Sequence, residues 1–482
     1  MISPQEQQLL RPPKEDKSRF SPFLTPLFIA LACILLPLVL PYAMTTTNEL
    51  QVIGLVLGLV AVGVVIGNPF WGLMIFIGLI YVRPEDYMPE LASLRLTLLV
   101  SCVTLIGTLC QRGIDRQRIV RDPVNPLIIA FGVIMVLSTL MSAGGETLKA
   151  AEDVAKLVLL VLLVINLART PDKCRTFISA LILFTLYLSA HGIYLYMTGQ
   201  ALHVAEEGVD RAQATGIFGD PNDLAATLAA GLALTIGRVV SSRGGGKFCY
   251  GLIAAFIVFA IITTNSRGGL LALIAVLSGA FIVFGRRKSL AVAIAVIVAA
   301  ATFMLAPTRM SNYDSEEESA NARFNYWDNG FGMFAQNPIL GVGYQQFEDG
   351  NNGATAHNSF VLCFTELGFP GYFAWMGCLY YCFRRKPIRG ESDSERKELT
   401  VVRLALAGFL VAAFWISRTY IAILYIYIGL ACAVYLSARA KAEAEGRQPV
   451  EERYPFHNDW LRILGLCVGM MLLIKLMVEH YT

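Results

Sequence analysis

The sequence predicts an all-α polytopic membrane protein with about 12–15 transmembrane helices and a long outer loop that contains short helices. Three observations predict it: an apolar composition, repeated apolar runs, and a one-sided distribution of lysine and arginine. Of the 482 residues, 55% are hydrophobic and only 16% are charged, and the mean hydropathy is +0.57. Soluble domains carry about 25% charged residues. The chain is therefore expected to lie in a membrane, and its net charge of +3 indicates no particular partner.

Apolar runs of the length needed to cross a bilayer, about 20 residues, occur along most of the chain. The candidate spans are 23–42, 50–67, 69–82, 94–110, 126–141, 150–168, 174–197, 222–240, 248–264, 268–285, 288–306, 357–383, 401–417, 418–436 and 461–478. The two boundaries least well marked are the turn at Gly67-Asn68-Pro69 and the junction at Arg418. Such a series predicts a bundle of many transmembrane helices.

Loops with many lysine and arginine residues alternate along the chain with loops that have few. One set of loops carries 27 of them, before residue 20 and at 111–125, 169–175, 238–247, 286–288, 384–397 and 437–460. The opposite set carries seven, namely Arg83, Lys149, Arg211, Arg267, Arg309, Arg323 and Arg418. Cytoplasmic loops are the ones enriched in these residues. The bias predicts a cytoplasmic N-terminus and places the second set of loops outside the cell.

We expect four segments along the chain. Residues 1–22 form a disordered, proline-rich cytoplasmic N-terminus, 23–306 form transmembrane helices, 307–356 form the long outer loop, and 357–478 form the remaining transmembrane helices. The outer loop holds seven acidic residues against two arginines, and its acidic run at 314–318 is expected to be a solvated surface. The loop also carries aromatic side chains that predict an ordered helix at the membrane interface: Phe324, Tyr326, Trp327, Phe331 and Phe334.

The sequence lacks the residue patterns that are typical of several kinds of site. The ten cysteines are scattered through apolar runs without a Cys-x-x-Cys pair, which is typical of small buried hydrophobic residues. The five histidines do not have the spacing of metal ligands. No phosphate-binding loop or paired nucleotide motif occurs. We therefore expect no metal, no cofactor and no nucleic acid partner.

The few cations of the outer loops are candidate anion-binding residues. Arg267 follows Thr264-Asn265-Ser266 in a glycine-rich turn between two spans, where helix amides would suit an anion. The alternative for Arg267 is an arginine that extends from a helix end toward water. Arg211 precedes a Gly-Asp-Pro-Asn turn in which Asn222 or Asp223 is a plausible N-cap.

Two further outer arginines complete the group. Arg323 lies four residues before Trp327, so both share one helix face. Arg418 interrupts a long apolar stretch, so it either turns the chain or points into a cavity. Several arginines on one side favour a phosphate or pyrophosphate ligand over a cation or a neutral substrate.

His357 is the candidate catalytic residue, as a general base. It opens an apolar helix from the outer side, and a helix N-terminus favours the neutral imidazole that a base requires. The alternative is a purely structural histidine at the interface. Asn358 and Glu366 complete the candidate substrate-binding set. Glu366 is nine residues from His357 and out of phase with it, although a bend at Gly368, Pro370 and Gly371 could change that, and Glu366 could instead hold an arginine.

These residues resemble a known family, the O-antigen ligase and O-antigen polymerase superfamily of bacterial membrane glycosyltransferases. The similar features are Ser266-Arg267-Gly268, Arg323 with Trp327, Asn337-Pro338 with Gly341 and Gly343, His357-Asn358, Glu366 with Gly368 and Gly371, and the turn Gly219-Asp220-Pro221-Asn222. The resemblance is closest over about 205–385.

The resemblance implies a multi-helix fold of the broad GT-C type, in an inner-membrane enzyme whose active site faces the periplasm. The implied donor is a glycan on undecaprenyl pyrophosphate, and the implied acceptor is lipid A core or a growing glycan. In the family, arginines in the positions of Arg267 and Arg323 bind the pyrophosphate, and the histidine in the position of His357 activates the acceptor hydroxyl. Direct attack on the anomeric carbon would then invert its configuration without a metal.

Three subfamilies and one other class remain open. The chain could be a ligase, a polymerase, or a protein O-oligosaccharyltransferase, since the same base and arginines would serve all three. A transporter or flippase of an anionic lipid-linked sugar is the alternative of another class. A transporter should place functional charges near the membrane midplane, whereas the candidate charges of this chain gather at one face. The outer turn Arg83-Pro84-Glu85-Asp86-Tyr87 has no role in the resemblance.

Overall fold

The computed structural model describes residues 62–63, 65–87, 89–115, 120–142, 146–204, 209–285, 313–385, 393–446 and 456–481. This part of the chain is almost entirely helical, which confirms the all-α polytopic class. Its α-helices are α1 Pro69–Val82, α2 Leu96–Asp115, α3 Val124–Met141, α4 Thr147–Leu167, α5 Pro171–Met197, α6 Pro221–Ser241, α7 Gly244–Thr263, α8 Arg267–Phe284, α9 Tyr313–Gln336, α10 Ser359–Arg384, α11 Asp393–Ala413, α12 Ala422–Ala444 and α13 Phe456–Tyr481.

Eight helices of the described part are long and apolar enough to cross a membrane: α2, α3, α5, α6, α7, α8, α12 and α13. The predicted disordered segment 1–22 and the predicted spans 23–42 and 288–306 lie outside the described residues, as does most of the span 50–67. The total of 12–15 spans therefore stays a prediction. So does the division of the chain at residues 22, 306 and 356.

Short elements join several of the helices on one side. Short 3-10 helices occupy Pro84–Asp86, Pro89–Leu94, Gly216–Phe218 and Asp349–Asn351. A small antiparallel hairpin pairs β1, Leu202–Val204, with β2, Val209–Arg211. The sequence pattern did not predict this hairpin, because three-residue strands are too short to show an alternating pattern.

Side-chain caps fix where four of the helices begin. The helices α5, α6, α8 and α10 begin after Thr170, Asp220, Ser266 and Asn358, whose side chains accept backbone amide protons of the first turn. The expectation that Asn222 or Asp223 caps α6 is wrong. Pro221 occupies the first helical position and has no N–H, so the carboxylate of Asp220 accepts from the Asn222 amide at 2.8 Å instead.

Two helices form the enclosed centre of the bundle. In the apolar stretches of α6 and α12, 72% and 83% of the residues are buried, whereas only 17% are buried in that of α7. Small residues line α6 and let its neighbours approach closely, as is usual between membrane helices. At Gly231, for example, an added Cβ would lie 2.1 Å from the Thr185 hydroxyl oxygen of α5. α6 therefore packs closely against its neighbours at the centre of the bundle. It begins directly after the turn that carries Asp220.

Loops that the charge bias assigns to the same side of the membrane contact each other in the structure. At one end, Arg385 pairs with Asp122 at 2.7 Å, and Arg175 pairs with Glu398 at 3.2 Å. These residues lie in or next to loops that are rich in lysine and arginine. At the other end, Lys475 pairs with Asp328 at 2.8 Å, which joins the end of α13 to the outer-loop helix α9. Lys475 is thus an ion-pair partner of the outer-loop helix.

Arg418 lies in the connection between α11 and α12. The predicted spans 401–417 and 418–436 are consequently shifted, to Asp393–Ala413 and Ala422–Ala444. From the sequence, Arg418 could either lie at a turn of the chain or point into a cavity. In the structure the chain turns there.

Breaking the buried ion pair between Arg385 and Asp122 should destabilise the protein strongly. Both side chains are almost inaccessible, at 0% and 2% exposure, so Asp122→Ala would leave an uncompensated buried guanidinium. We expect a loss of about 3–5 kcal/mol in the free energy of unfolding. The measurement is denaturant or thermal unfolding of the purified protein in detergent.

Arg175→Ala is the matched control, because its pair with Glu398 is half exposed and should contribute at most about 1 kcal/mol. Equal losses in the two variants would contradict the structural role of the buried pair.

Candidate active site

A break in α10 shapes the site. Gly368 has non-helical dihedral angles (φ 65°, ψ −173°), and Pro370 follows it without an N–H to donate. The bend that Gly368 and Pro370 made possible from the sequence is therefore confirmed. In an unbroken helix, the carbonyls of Thr365 and Glu366 would accept from the amides of residues 369 and 370. The break leaves both carbonyls without these helical donors.

The loop Asn337–Gly343 supplies the missing hydrogen bonds. The amide of Val342 donates to the Thr365 carbonyl at 3.0 Å, and the amide of Gly343 donates to the Glu366 carbonyl at 3.1 Å. Gly341 (φ 69°) touches the same backbone, since an added Cβ would lie 2.3 Å from the Glu366 carbonyl oxygen. The glycines of this loop are thus required by a close approach of two backbones.

Glu366 belongs to this clamp. Its side chain is 2% exposed, and its Oε1 accepts from the Phe347 amide at 3.2 Å. Hydrogen bonds of Glu366 join it to the 343–347 loop, to the Tyr420 hydroxyl and to Ser138, whose hydroxyl donates to the Glu366 carbonyl at 2.7 Å. No such bond joins it to His357 or to an arginine within the described part of the chain. The expectation that Glu366 holds a neighbouring arginine receives no support from these contacts.

His357 sits at the start of α10 in a left-handed backbone conformation, with φ at 49°. Non-glycine residues seldom adopt this conformation, and it costs about 1–3 kcal/mol at positions where the surroundings impose it. Two contacts impose it here. The buried Asn358 side chain accepts from the amides of Phe360 and Val361, and the Trp327 indole N–H donates to the Ala356 carbonyl at 2.9 Å.

Asn358 is therefore a helix cap whose side chain is fully buried. This structural role accounts for its position, and its assignment as a substrate-binding residue stays a prediction. Trp327 is also fully buried, and it fixes α9 against the segment that carries His357. The expected one-face arrangement of Arg323 and Trp327 on a helix is realised on α9.

The surroundings of His357 favour its neutral form. Its side chain is half-buried, and this burial is the main cause that lowers its pKa below 6.5. The positive charge of Arg323 lowers the pKa further, the carboxylate of Asp220 opposes that shift, and Arg418 adds a smaller lowering effect. The imidazole therefore lies within the fields of two arginines and one aspartate, and it is available as a proton acceptor at neutral pH.

Arg323 and Arg267 lie close enough to influence each other. Burial lowers the pKa of Arg323, and the charge of Arg267 is the second cause. Arg267 is the first residue of α8 and is exposed, directly after the N-cap Ser266. Like charges are held together at some cost, which an anion between them would relieve.

A hydrogen-bond network centred on Asn222 holds the base of this cluster. Asn222 Oδ1 accepts from the Ser266 hydroxyl at 2.7 Å and from Arg211 at 3.0 Å, while its Nδ2 donates to Asp220 at 2.9 Å. Arg211 also donates to the Thr264 carbonyl at 3.1 Å. The network joins the start of α6 to the start of α8, so Arg211 contributes to positioning Arg267.

Arg418 forms ion pairs with two carboxylates of α6 and its cap. It donates to Asp223 and, at 3.2 Å, to Asp220. Burial lowers the pKa of Arg418, but the two carboxylates stabilise the charged guanidinium, so that the pKa is raised overall. Its amide also donates to the Ser359 hydroxyl at 2.8 Å, next to His357. Its predicted role in substrate binding stays a prediction, since part of its charge is already compensated.

The structure thus brings His357, Arg323, Arg267, Arg418 and Arg211 to one end of the bundle, whereas Glu366 belongs to the adjoining clamp. The sequence interpretation missed Asp220 and Asp223 as partners of Arg418. Asp220 lies in the Gly-Asp-Pro-Asn turn and Asp223 directly after it, a position that indicated only helix capping. No spacing in the sequence connects this turn with Arg418, which lies 195 residues after Asp223.

Comparison with known proteins supports the resemblance. Residues 252–376 match the model of a protein family described as O-antigen ligase. This segment is about a quarter of the 482-residue chain, and over it the protein is similar to the O-antigen ligase family. The matched segment contains Arg267, Arg323, His357, Asn358 and Glu366, and Arg211 and Arg418 lie outside it. No curated protein matches the chain.

Replacing Gly341 in the clamp should destabilise the protein. Gly341→Ala would place a Cβ 2.3 Å from the Glu366 carbonyl in a left-handed conformation, at an expected cost of about 2–4 kcal/mol. Gly332→Ala on α9 is the control, because no atom lies within 4 Å of its added Cβ. That control should be neutral or slightly stabilising. Unfolding in detergent measures both, and an unaffected Gly341→Ala protein would contradict the clamp.

The pH dependence of the reaction should report the lowered pKa of His357. If the neutral imidazole is the active form, kcat/KM is constant at neutral pH and falls as the pH drops through a value below 6.5. Arg323→Gln removes a charge that lowers this pKa, so the acidic limb of the residual activity should move to higher pH. An acidic limb that Arg323→Gln leaves unmoved would contradict the proximity of the two groups.

Proposed function

We propose that the protein transfers a glycan from undecaprenyl pyrophosphate to an acceptor hydroxyl at the periplasmic face of the bacterial inner membrane. The transfer would serve the assembly of lipopolysaccharide or another surface polysaccharide. The observation that carries the proposal is a half-buried histidine with a lowered pKa, held in a strained backbone conformation between arginines. The match to the O-antigen ligase family supports the same class of reaction.

The donor side of the reaction falls to the arginines. Arg267 and Arg323 lie near each other, and guanidinium groups bind phosphate oxygens in a fixed, two-pronged geometry. The pyrophosphate would relieve their mutual repulsion and be oriented by both. Arg418 would face the same anion with a smaller net effect, because Asp220 and Asp223 already pair with it.

The acceptor side falls to His357. Its neutral imidazole takes the proton of the acceptor hydroxyl while the hydroxyl oxygen forms a bond to the anomeric carbon of the donor sugar. The bond between that carbon and the pyrophosphate oxygen breaks, and its electron pair leaves with the oxygen. The arginines stabilise the negative charge that develops there. A single displacement of this kind inverts the anomeric configuration, and it requires no metal step.

Both ligase and polymerase activity fit this chemistry, as does transfer to a protein hydroxyl. The reacting groups are the same in all three, and the acceptor distinguishes them. Lipid A core, a growing glycan on its own carrier, and a protein are thus the acceptors to compare.

The test is a transfer assay on the purified protein with lipid-linked glycan as donor and these acceptors. His357→Asn is the main variant, because asparagine tolerates the left-handed backbone that alanine does not. We expect transfer to fall by about 10²–10⁴-fold while donor binding is retained. Arg267→Ala and Arg323→Ala should weaken donor binding itself.

His203→Ala provides the matched control. His203 also lies on the outer side, in the exposed hairpin, where its Nδ1 is 2.7 Å from Asp210. This variant should transfer at the wild-type rate. Full activity of His357→Asn would show that the base lies elsewhere, and transport of the donor lipid without transfer would replace the enzyme proposal by a transporter.

A further inference from the structure

An aromatic cluster lies at the outer end of the bundle and takes no part in the reaction described above. It consists of Tyr87, directly after the turn Pro84–Asp86, and of Tyr187 and His191 near the end of α5. The hydroxyls of Tyr87 and Tyr187 are 2.9 Å apart, and the Tyr87 hydroxyl is 3.3 Å from His191 Nε2. The rings of Tyr187 and His191 are stacked, with centroids 5.9 Å apart and an interplanar angle of 24°.

The cluster is joined to the proposed active site through one turn. Arg83 pairs with Asp86 at 3.0 Å, and this pair packs directly on Gly216. An added Cβ at Gly216 (φ 61°) would lie 2.2 Å from Arg83 Nε and 2.4 Å from Asp86 Oδ2. Four residues later, Asp220 bonds to Arg418 beside His357. The turn Gly216–Asp220 therefore has the aromatic cluster on one side and the charged site on the other.

A simple belt of interfacial tyrosines does not explain this arrangement. Tyrosines of such a belt lie on the spans and direct the hydroxyl toward water. Tyr194, one turn beyond His191 on α5 and 59% exposed, fits that description. Tyr87 does not, because it lies outside the helices on a charged turn and its hydroxyl is bonded within the cluster. Half of its surface is nevertheless exposed, so a ring face remains available.

We propose that Tyr87, Tyr187 and His191 form a saccharide-binding subsite that flanks the transfer site. The inference rests on the proposed function, since it assigns a place to one of the glycans. Sugar rings present C–H faces that pack on aromatic rings, and their hydroxyls bond to phenols, imidazoles and carboxylates. Glu85 and Asp86, which are 23% and 20% exposed, supply carboxylates beside the rings.

The saccharide could come from the acceptor or from the donor, and steady-state kinetics distinguish the two. Tyr87→Ala should raise the KM of one of them about tenfold, the equivalent of about 1.4 kcal/mol, with little change in kcat. A higher acceptor KM at saturating donor would assign the subsite to the acceptor glycan. A higher donor KM at saturating acceptor would assign it to the donor glycan.

Two variants separate binding from a structural effect. Tyr87→Trp preserves a stacking face and should retain most of the affinity that Tyr87→Ala loses. Tyr194→Ala, the matched control, removes an equally exposed tyrosine and should leave both KM values unchanged. A structural role alone would lower thermal stability without this selective change in KM.

A direct binding measurement distinguishes failure of the subsite from failure of the proposed function. The probes are the oligosaccharides released from the donor lipid and from rough lipopolysaccharide, observed by saturation-transfer NMR on the full-length protein. Binding that Tyr87→Ala abolishes, in a protein that transfers nothing, would keep the subsite and overturn the proposed function. Normal transfer with unchanged KM values and unchanged binding in Tyr87→Ala would overturn the subsite and keep the function.

Discussion

Backbone hydrogen bonding at the break in α10 is the constraint on which the site depends. Gly368 and Pro370 end the regular helix, and the amides of Val342 and Gly343 take the places of the missing helical donors. A buried carbonyl without a partner costs about 1–3 kcal/mol, so the loop and the break stabilise each other. The loop follows α9, which carries Arg323 and Trp327. The same clamp therefore holds the outer-loop helix α9 against α10, which begins two residues after His357.

Charge balance gives the site its chemical character. Arginines from α8, α9 and the connection between α11 and α12 lie at this end of the bundle, where Asp220 and Asp223 pair with one of them, Arg418. These two acids compensate Arg418, while Arg267 and Arg323 repel each other. The positive charge of the arginines suits an anionic leaving group. Burial is the main cause that lowers the pKa of the neighbouring imidazole, and the charge of Arg323 adds to it. One arrangement thus serves both halves of the proposed transfer.

Rigid turns position the groups around this centre. Asn222 connects the starts of α6 and α8, and the turn Gly216–Asp220 connects the site with Tyr87 and its neighbours. A glycan chain extends well beyond its reacting sugar, so an enzyme for such a substrate gains from contacts outside the reacting centre. The aromatic cluster offers such contacts next to the charged site.

Apolar runs, loop charges and helix starts were enough to predict the membrane class, the helical architecture, the outer arginines and His357 as the candidate base. All of these are local properties of the chain. The pairing of Asp220 and Asp223 with Arg418, the burial of Asn358 and the place of Glu366 in the clamp are visible only in the folded structure. It also gave a position to the Arg83–Tyr87 turn. Each of these depends on contacts between residues far apart in the chain, and periodicity, propensity and loop charge report only on near neighbours.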